Sequence, residues 1–128
     1  EVELCEGLEE IEEDAFLYSK SLKRITLPSS VRKIGRYAFW KCYELVEVEL
    51  NEGLEVIGDG AFSDCTSLWR INIPSSVRRI DSFVFDGCIG LVEVELCEGL
   101  EVIGDMGFIN CTSLKRITLP SSVRKIGR

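Results

Sequence analysis

Phenylalanine returns at a fixed interval along this chain. Phe16, Phe39, Phe62, Phe85 and Phe108 stand 23 residues apart, with no insertion or deletion between them. A constant period of that size is the mark of a solenoid, in which each repeat forms one coil of a stack. The stretch Ser21–Cys42, SLKRITLPSSVRKIGRYAFWKC, carries the repeat skeleton.

Other apolar columns keep the same step. Leu22, Leu45, Leu68, Leu91 and Leu114 form one, Ile25, Val48, Ile71, Val94 and Ile117 a second, and Ile11, Ile34, Ile57, Ile80, Ile103 and Ile126 a third. A unit of 23 residues is too small to bury such a set alone, so each coil must cover the next. With 128 residues and 45% apolar content, one solenoid of about five and a half repeats accounts for residues 1–128 as a single domain. Glu1 begins in mid-repeat and Arg128 stops before the expected Ala-Phe and Cys, so the sequence reads as an uncapped fragment of a longer protein.

Within a unit, Arg24-Ile25-Thr26-Leu27 alternates outward and inward side chains and is closed by Pro28, which predicts a short strand. Six such segments, from Glu1–Leu4 to Arg116–Leu119, are expected to stack in parallel. The next segment, Val31–Gly35, has its apolar residues three apart and fits a second short strand or a tight turn, the strand being favoured, with Gly35 free to take a positive φ. Arg36–Cys42 then places Ala38, Phe39 and Cys42 at helix-like spacing, enough for one or two helical turns on an outer wall.

The pattern L-x-x-I-x-L-P-x-S-V-x-x-I-G-x-x-A-F-x-x-C, read from Leu22 to Cys42 and again from Leu68, resembles the BspA-like class of leucine-rich repeats. The resemblance spans essentially the whole chain. It implies a right-handed, curved solenoid of short parallel strands and short helical turns. It also implies a recognition scaffold for protein or cell-surface ligands, associated with adhesion on microbial or protist surfaces. An extracellular or cell-surface location is implied by the resemblance alone.

A period of 46 lies over the first, because SLKRITLPSSVRKIG-type units alternate with LVEVELNEGLEVIG-type units. Charge alternates with it: Glu1, Arg24, Glu47, Arg70, Glu93, Arg116 in one outward column, and Glu9, Arg32, Glu55, Arg78, Glu101, Arg124 in another. At a strand spacing of about 4.8 Å, each Arg is expected between two Glu neighbours. One exposed pair contributes only about 0.2–1 kcal/mol, but a slip of one unit would set like charges together along the whole face. The columns therefore read as a register device.

Chemistry-bearing constellations are scarce. The chain has no His, and its net charge of −7 argues against nucleic acid, which demands a clustered basic surface. No run of roughly 18 apolar residues is present in the sequence. Nothing pairs a nucleophile with a base, so the expectation is a non-enzyme without cofactor or metal. The cluster Glu9, Glu10, Glu12, Glu13, Asp14 lacks calcium-loop spacing, and Gly58-Asp59-Gly60 lacks the lysine of a phosphate cradle. Cys42, Cys65, Cys88 and Cys111 share a column and are expected to be buried free thiols, while Cys5 and Cys97, four units apart, are expected to be exposed. Asn110-Cys111-Thr112 matches a glycosylation sequon whose central residue belongs to the buried column.

Two candidate binding surfaces remain. Tyr37, Trp40 and Tyr43, spaced three apart on the outer wall, either anchor a partner or merely cover the outer turns. The strand face offers Glu49, Asn72 and Glu95 in a polar, acidic surface. The ends suggest self-association as an alternative role, because residues 1–14 hold eight acidic and no basic residues while residues 115–128 hold five basic and no acidic ones. Glu1 and Glu3 of one molecule would then follow Arg116 and Arg124 of another, head to tail, into a homo-oligomer without an outside ligand.

Overall fold

The computed structural model describes residues 2–128, with side chains from residue 4 onward. Twelve short strands follow one another in chain order, two per coil. They are β1 (Val2–Glu3), β2 (Glu10–Ile11), β3 (Arg24–Thr26), β4 (Lys33–Ile34), β5 (Glu47–Glu49), β6 (Val56–Ile57), β7 (Arg70–Ile73), β8 (Arg79–Ile80), β9 (Glu93–Leu96), β10 (Val102–Ile103), β11 (Arg116–Thr118) and β12 (Lys125–Ile126). Even-numbered strands make one continuous parallel sheet in the order β12-β10-β8-β6-β4-β2. Each residue in it faces the one 23 positions on, as in Ile34↔Ile57 and Ile57↔Ile80. The Val31–Gly35 segment thus holds a two-residue strand, Lys33–Ile34, the favoured of its two readings.

Odd-numbered strands were expected in a single stack, and here the structure differs. They form two sheets, β1-β3-β5 and β11-β9-β7, with no ladder between β5 and β7. At β5, β9 and β11 the residue before the strand and the strand's first residue donate to a carbonyl one coil back. Val46 and Glu47 bond Lys23 O, and Val92 and Glu93 bond Trp69 O. Among the described residues Trp69 and Arg70 make no such bond to Val46 O. The strand wall is therefore split at its middle.

The third wall is made of hydrogen-bonded turns, with no helix among the described residues. Helical spacing in the sequence is genuine, since Ala38, Trp40 and Cys42 each donate to the carbonyl three residues back. The residues between them bond outward instead: Tyr37, Phe39 and Lys41 donate to Asp59, Ala61 and Ser63 of the next coil at 2.8–2.9 Å. Tyr37 and Lys41 carry φ of 55° and 59°, in the left-handed region that a right-handed helix cannot include. Alternate peptide groups thus serve the turn and the stack. Gly35 is a further correction, because its φ is not positive. A Cβ there would lie 2.7 Å from the Glu13 nitrogen, so glycine is required by the close approach of the neighbouring coil.

Between the walls lies a continuous core. Phe39, Phe62 and Phe85 are fully buried, and the five rings stack face over face, with centroids 5.1, 5.2, 5.8 and 5.3 Å apart along the file. Beside them each column cysteine donates its S–H to a phenylalanine carbonyl one coil back, Cys42 to Phe16, Cys65 to Phe39, Cys88 to Phe62 and Cys111 to Phe85, at 3.0–3.1 Å. Burial pushes all four thiols up from an ordinary value near 9.0, Cys111 to about 11 and Cys65 well above its usual range.

The charge columns hold register by several exposed pairs: Arg24–Glu47 at 3.8 Å, Arg32–Glu55 at 3.7 Å, and Glu101 between Arg78 and Arg124 at 3.8 and 3.4 Å. Arg70 is the exception. Among the described residues it has no carboxylate partner, and its guanidinium lies 5.1 Å from the centroid of the Trp69 ring.

Two outcomes follow from this packing. Phe62→Ala, which empties a site stacked on both sides, is expected to cost about 3–5 kcal/mol, read from the chemical denaturation midpoint. Because the thiol pKa values are raised in the folded chain, unfolded thiols ionise first; the ladder's contribution is complete below pH 9 and is lost as pH rises toward the Cys111 value of about 11. Thermal melts across that window should fall less steeply for a Cys65→Ala/Cys88→Ala variant than for the parent chain.

Candidate functional site

The outer wall brings together residues that the sequence leaves scattered. Tyr37 and Trp40 sit in one coil with ring centroids 5.3 Å apart, and Tyr18 of the preceding coil lies 5.9 Å from Trp40. Lys41 closes the group. Its Nζ donates to the Tyr18 hydroxyl at 3.1 Å and lies 4.7 Å from the Trp40 centroid and 5.2 Å from that of Tyr18. The bond to Tyr18 holds the Lys41 ammonium above its usual pKa. Arg36 stands over Tyr37 at 5.7 Å.

Left-handed backbone at Tyr18, Tyr37 and Lys41 (φ 58°, 55° and 59°) is what fixes this presentation. Sequence spacing identified Tyr37 and Trp40 but not Tyr18 and Lys41. Those two share one repeat column, and that shared column was the available signal. Tyr43 is exposed and takes no part in the ring contacts among the described residues.

Glu49, Asn72 and Glu95 lie on the strand wall, away from the aromatics and exposed. Asn72 Oδ1 accepts from the Cys97 thiol at 3.7 Å. Glu49 and Asn72 help line a groove of ≈ 380 Å³ at the split, together with Glu47, Asn51 and Arg70. Asn51 Nδ2 donates to Leu27 O.

Of the residues expected in self-association, Glu1 lies outside the described residues, as does the Glu3 side chain. Arg116 pairs with Glu93 at 3.8 Å and Arg124 with Glu101 at 3.4 Å. Beside them the last coil exposes Ile117, Leu119 and Ile126. An apolar recess of ≈ 360 Å³ opens between Phe108, Ile109 and Ile126.

All six cysteines are free thiols, with Cys5 exposed and Cys97 half-buried. Glu13 is paired with Arg36 at 3.8 Å. Among the described residues no three His, Cys, Asp or Glu side chains gather as a metal site, and no helix is long and apolar enough to cross a membrane. Asn110 is exposed and donates to Asp86 at 3.3 Å.

A polar latch escaped the sequence reading altogether. Glu6, Glu52 and Glu98 each accept two hydrogen bonds from the next coil, from N–H and Oγ of Ser29, Ser75 and Ser121 respectively, at 2.9–3.2 Å. They recur at 46 residues, so the longer period groups coils into latched pairs.

Comparison with known proteins agrees with this geometry. The profile of the BspA type leucine rich repeat region matches residues 2–128 in six copies. No curated protein sequence matches the chain. Among solved structures, a leucine rich cell surface protein from Faecalibacterium prausnitzii superposes with a TM-score of 0.87 at 30% identity, over 90% of this chain and 30% of that one. A leucine-rich repeat protein from Bacteroides ovatus superposes with a TM-score of 0.75 at 26% identity, over 98% of this chain and 38% of the other. The chain thus spans about a third of the length of these two relatives.

Proposed function

The chain belongs to the BspA-type leucine-rich repeat family, and from that premise we propose that it is a non-enzymatic scaffold that binds a protein or cell-surface ligand through its outer wall. The observation that carries this reading is the Tyr18–Tyr37–Trp40 cluster with its two cations. Aromatic and arginine side chains on a rigid support are the usual anchors of protein interfaces, because they offer large contact area at low conformational cost. Here the stack supplies the support: the Tyr18 and Tyr37 N–H groups donate to Trp40 O and Asp59 O of the next coil. Tyr43 extends the patch, and Glu49, Asn72 and Glu95 give a second, acidic face. The description of the Faecalibacterium relative as a cell surface protein supports a surface ligand.

A second reading, end-to-end self-association, is favoured by one observation. The exposed Ile117, Leu119 and Ile126 of the last coil are the core columns of the stack. The basic residues around them complement the acidic first 14 residues, so a second molecule's first coil would continue both the apolar columns and the charge alternation.

Two measurements separate these readings. In a screen of purified matrix and cell-surface proteins, Trp40→Ala should weaken capture of the bound partner about tenfold or more. Capture indifferent to Trp40→Ala, Tyr37→Ala and Glu49→Ala/Glu95→Ala would remove the scaffold reading. In sedimentation at low salt the self-association reading requires oligomers that dissolve in an Arg116→Glu/Arg124→Glu variant. A monomer at high concentration ends it.

A further inference from the structure

The groove at the split in the strand wall shares Glu49 and Asn72 with the acidic face named above, but none of the aromatic residues that carry the scaffold reading lines it. Its walls are β5 and β7, whose facing edges lack the ladder bonds that join the other neighbouring strands of this wall. Peptide N–H and C=O groups along such an edge need a partner. Above them stand two carboxylates, Glu47 and Glu49, two amides, Asn51 and Asn72, and the guanidinium of Arg70. Arg70 is available because, unlike Arg24 and Arg116 in its column, it has no carboxylate partner among the described residues. It rests on the ring of Trp69, the residue before it in the chain, which is 46% exposed and offers an apolar face beside Arg70.

We propose that this groove is a binding site for a neutral carbohydrate. A sugar hydroxyl both donates and accepts, and it therefore matches a wall that mixes carboxylate, amide, guanidinium and peptide groups. The hydroxyls replace water along the open edges, and the C–H face of the ring lies against Trp69. Other occupants fit less well. An inserted peptide strand requires edges about 9.6 Å apart, two strand spacings. Behind the groove the pairing of Val56 with Arg79 and of Ile57 with Ile80 holds the same two coils one spacing apart. An anion would meet Glu47 and Glu49 against the single Arg70. Smaller recesses continue on both sides of the groove along the same wall, which suits an oligosaccharide over a single ring.

The test is an amide chemical-shift titration of the full chain with maltotriose, cellotriose, mannotriose and chitotriose. Trp69 fluorescence is followed in parallel in a Trp40→Phe background. At least one trisaccharide should give saturable shifts confined to residues 46–51 and 69–73 with a change in Trp69 emission. Glu49→Gln/Asn72→Ala, checked by circular dichroism for an intact fold, should weaken that binding about tenfold or more, while Trp40→Ala leaves it unchanged. No response to any of the four sugars at tens of millimolar, shifts that persist in the double variant, or a response to pentalysine in place of the sugars overturns the proposal. A screen in which the parent chain's outer wall captures no partner while sugar binding is observed would count against the scaffold reading alone.

Discussion

Peptide groups in this chain are satisfied across coils more than within them, and the rest of the structure depends on that. On the outer wall the N–H groups of Phe16, Phe39, Phe62 and Phe85 each reach a carbonyl of the next coil. That exchange sets the pitch, and the pitch sets the rest. Phenylalanine rings 5.1–5.8 Å apart stack as a file, and each cysteine lies within reach of a carbonyl one coil away. A side chain buried here is buried by its counterpart in the neighbouring repeat. Stability is therefore a sum of nearest-neighbour interfaces, and the apolar columns are the terms in that sum.

The longer period answers a problem that the shorter one creates. Twenty-three-residue units with equal cores could pair in more than one order, since apolar burial is indifferent to which Leu covers which. Two polar devices distinguish the order. Arg–Glu alternation makes a one-unit slip repulsive, and the latch from Glu6, Glu52 and Glu98 to Ser29, Ser75 and Ser121 forms only between coils of unlike type. The exposed ion pairs are individually weak. Their effect lies in the difference between registers, where every member of a column changes sign together.

How much of this was legible in the sequence follows from what each feature depends on. The Phe, Leu and Ile columns and both strands of each coil were readable because they rest on apolar periodicity alone. Outer turns read as helix because i, i+3 bonding does occur there. The left-handed column that prevents a helix is occupied by Asp14, Tyr37, Phe83 and Met106 as well as Gly60, so residue type gives little warning. Gly35 read as a position for positive φ, whereas it marks a backbone contact with Glu13. Of the surface residues, Tyr37 and Trp40 were found by spacing within one coil. Tyr18 and Lys41 were not, because the contact that joins them crosses coils. The split between β5 and β7 had no sequence signal of its own kind, since strand pairing there is lost without any break in the apolar pattern of Val48 and Ile71.

In a repeat chain, residues that recur in every unit serve the stack, so a specific site has to be sought where the period fails. Two such places stand out. Tyr37 and Trp40 occupy columns that hold Gly60 and Ser63 one unit later, and they make a patch that no other pair of coils repeats. Trp69 occupies a column of Lys23, Val46, Val92 and Lys115, and Asn51 a column otherwise of proline and cysteine. Those two substitutions flank the β5–β7 interface, where the strand wall opens. An indole in place of lysine or valine adds an exposed apolar face, and an asparagine in place of proline restores an N–H and adds a side-chain amide. Neither change adds to the columns that hold the coils together. The indole adds an exposed face toward solvent and the Asn51 amide a cross-coil bond to Leu27 O, beside two strands that share no ladder.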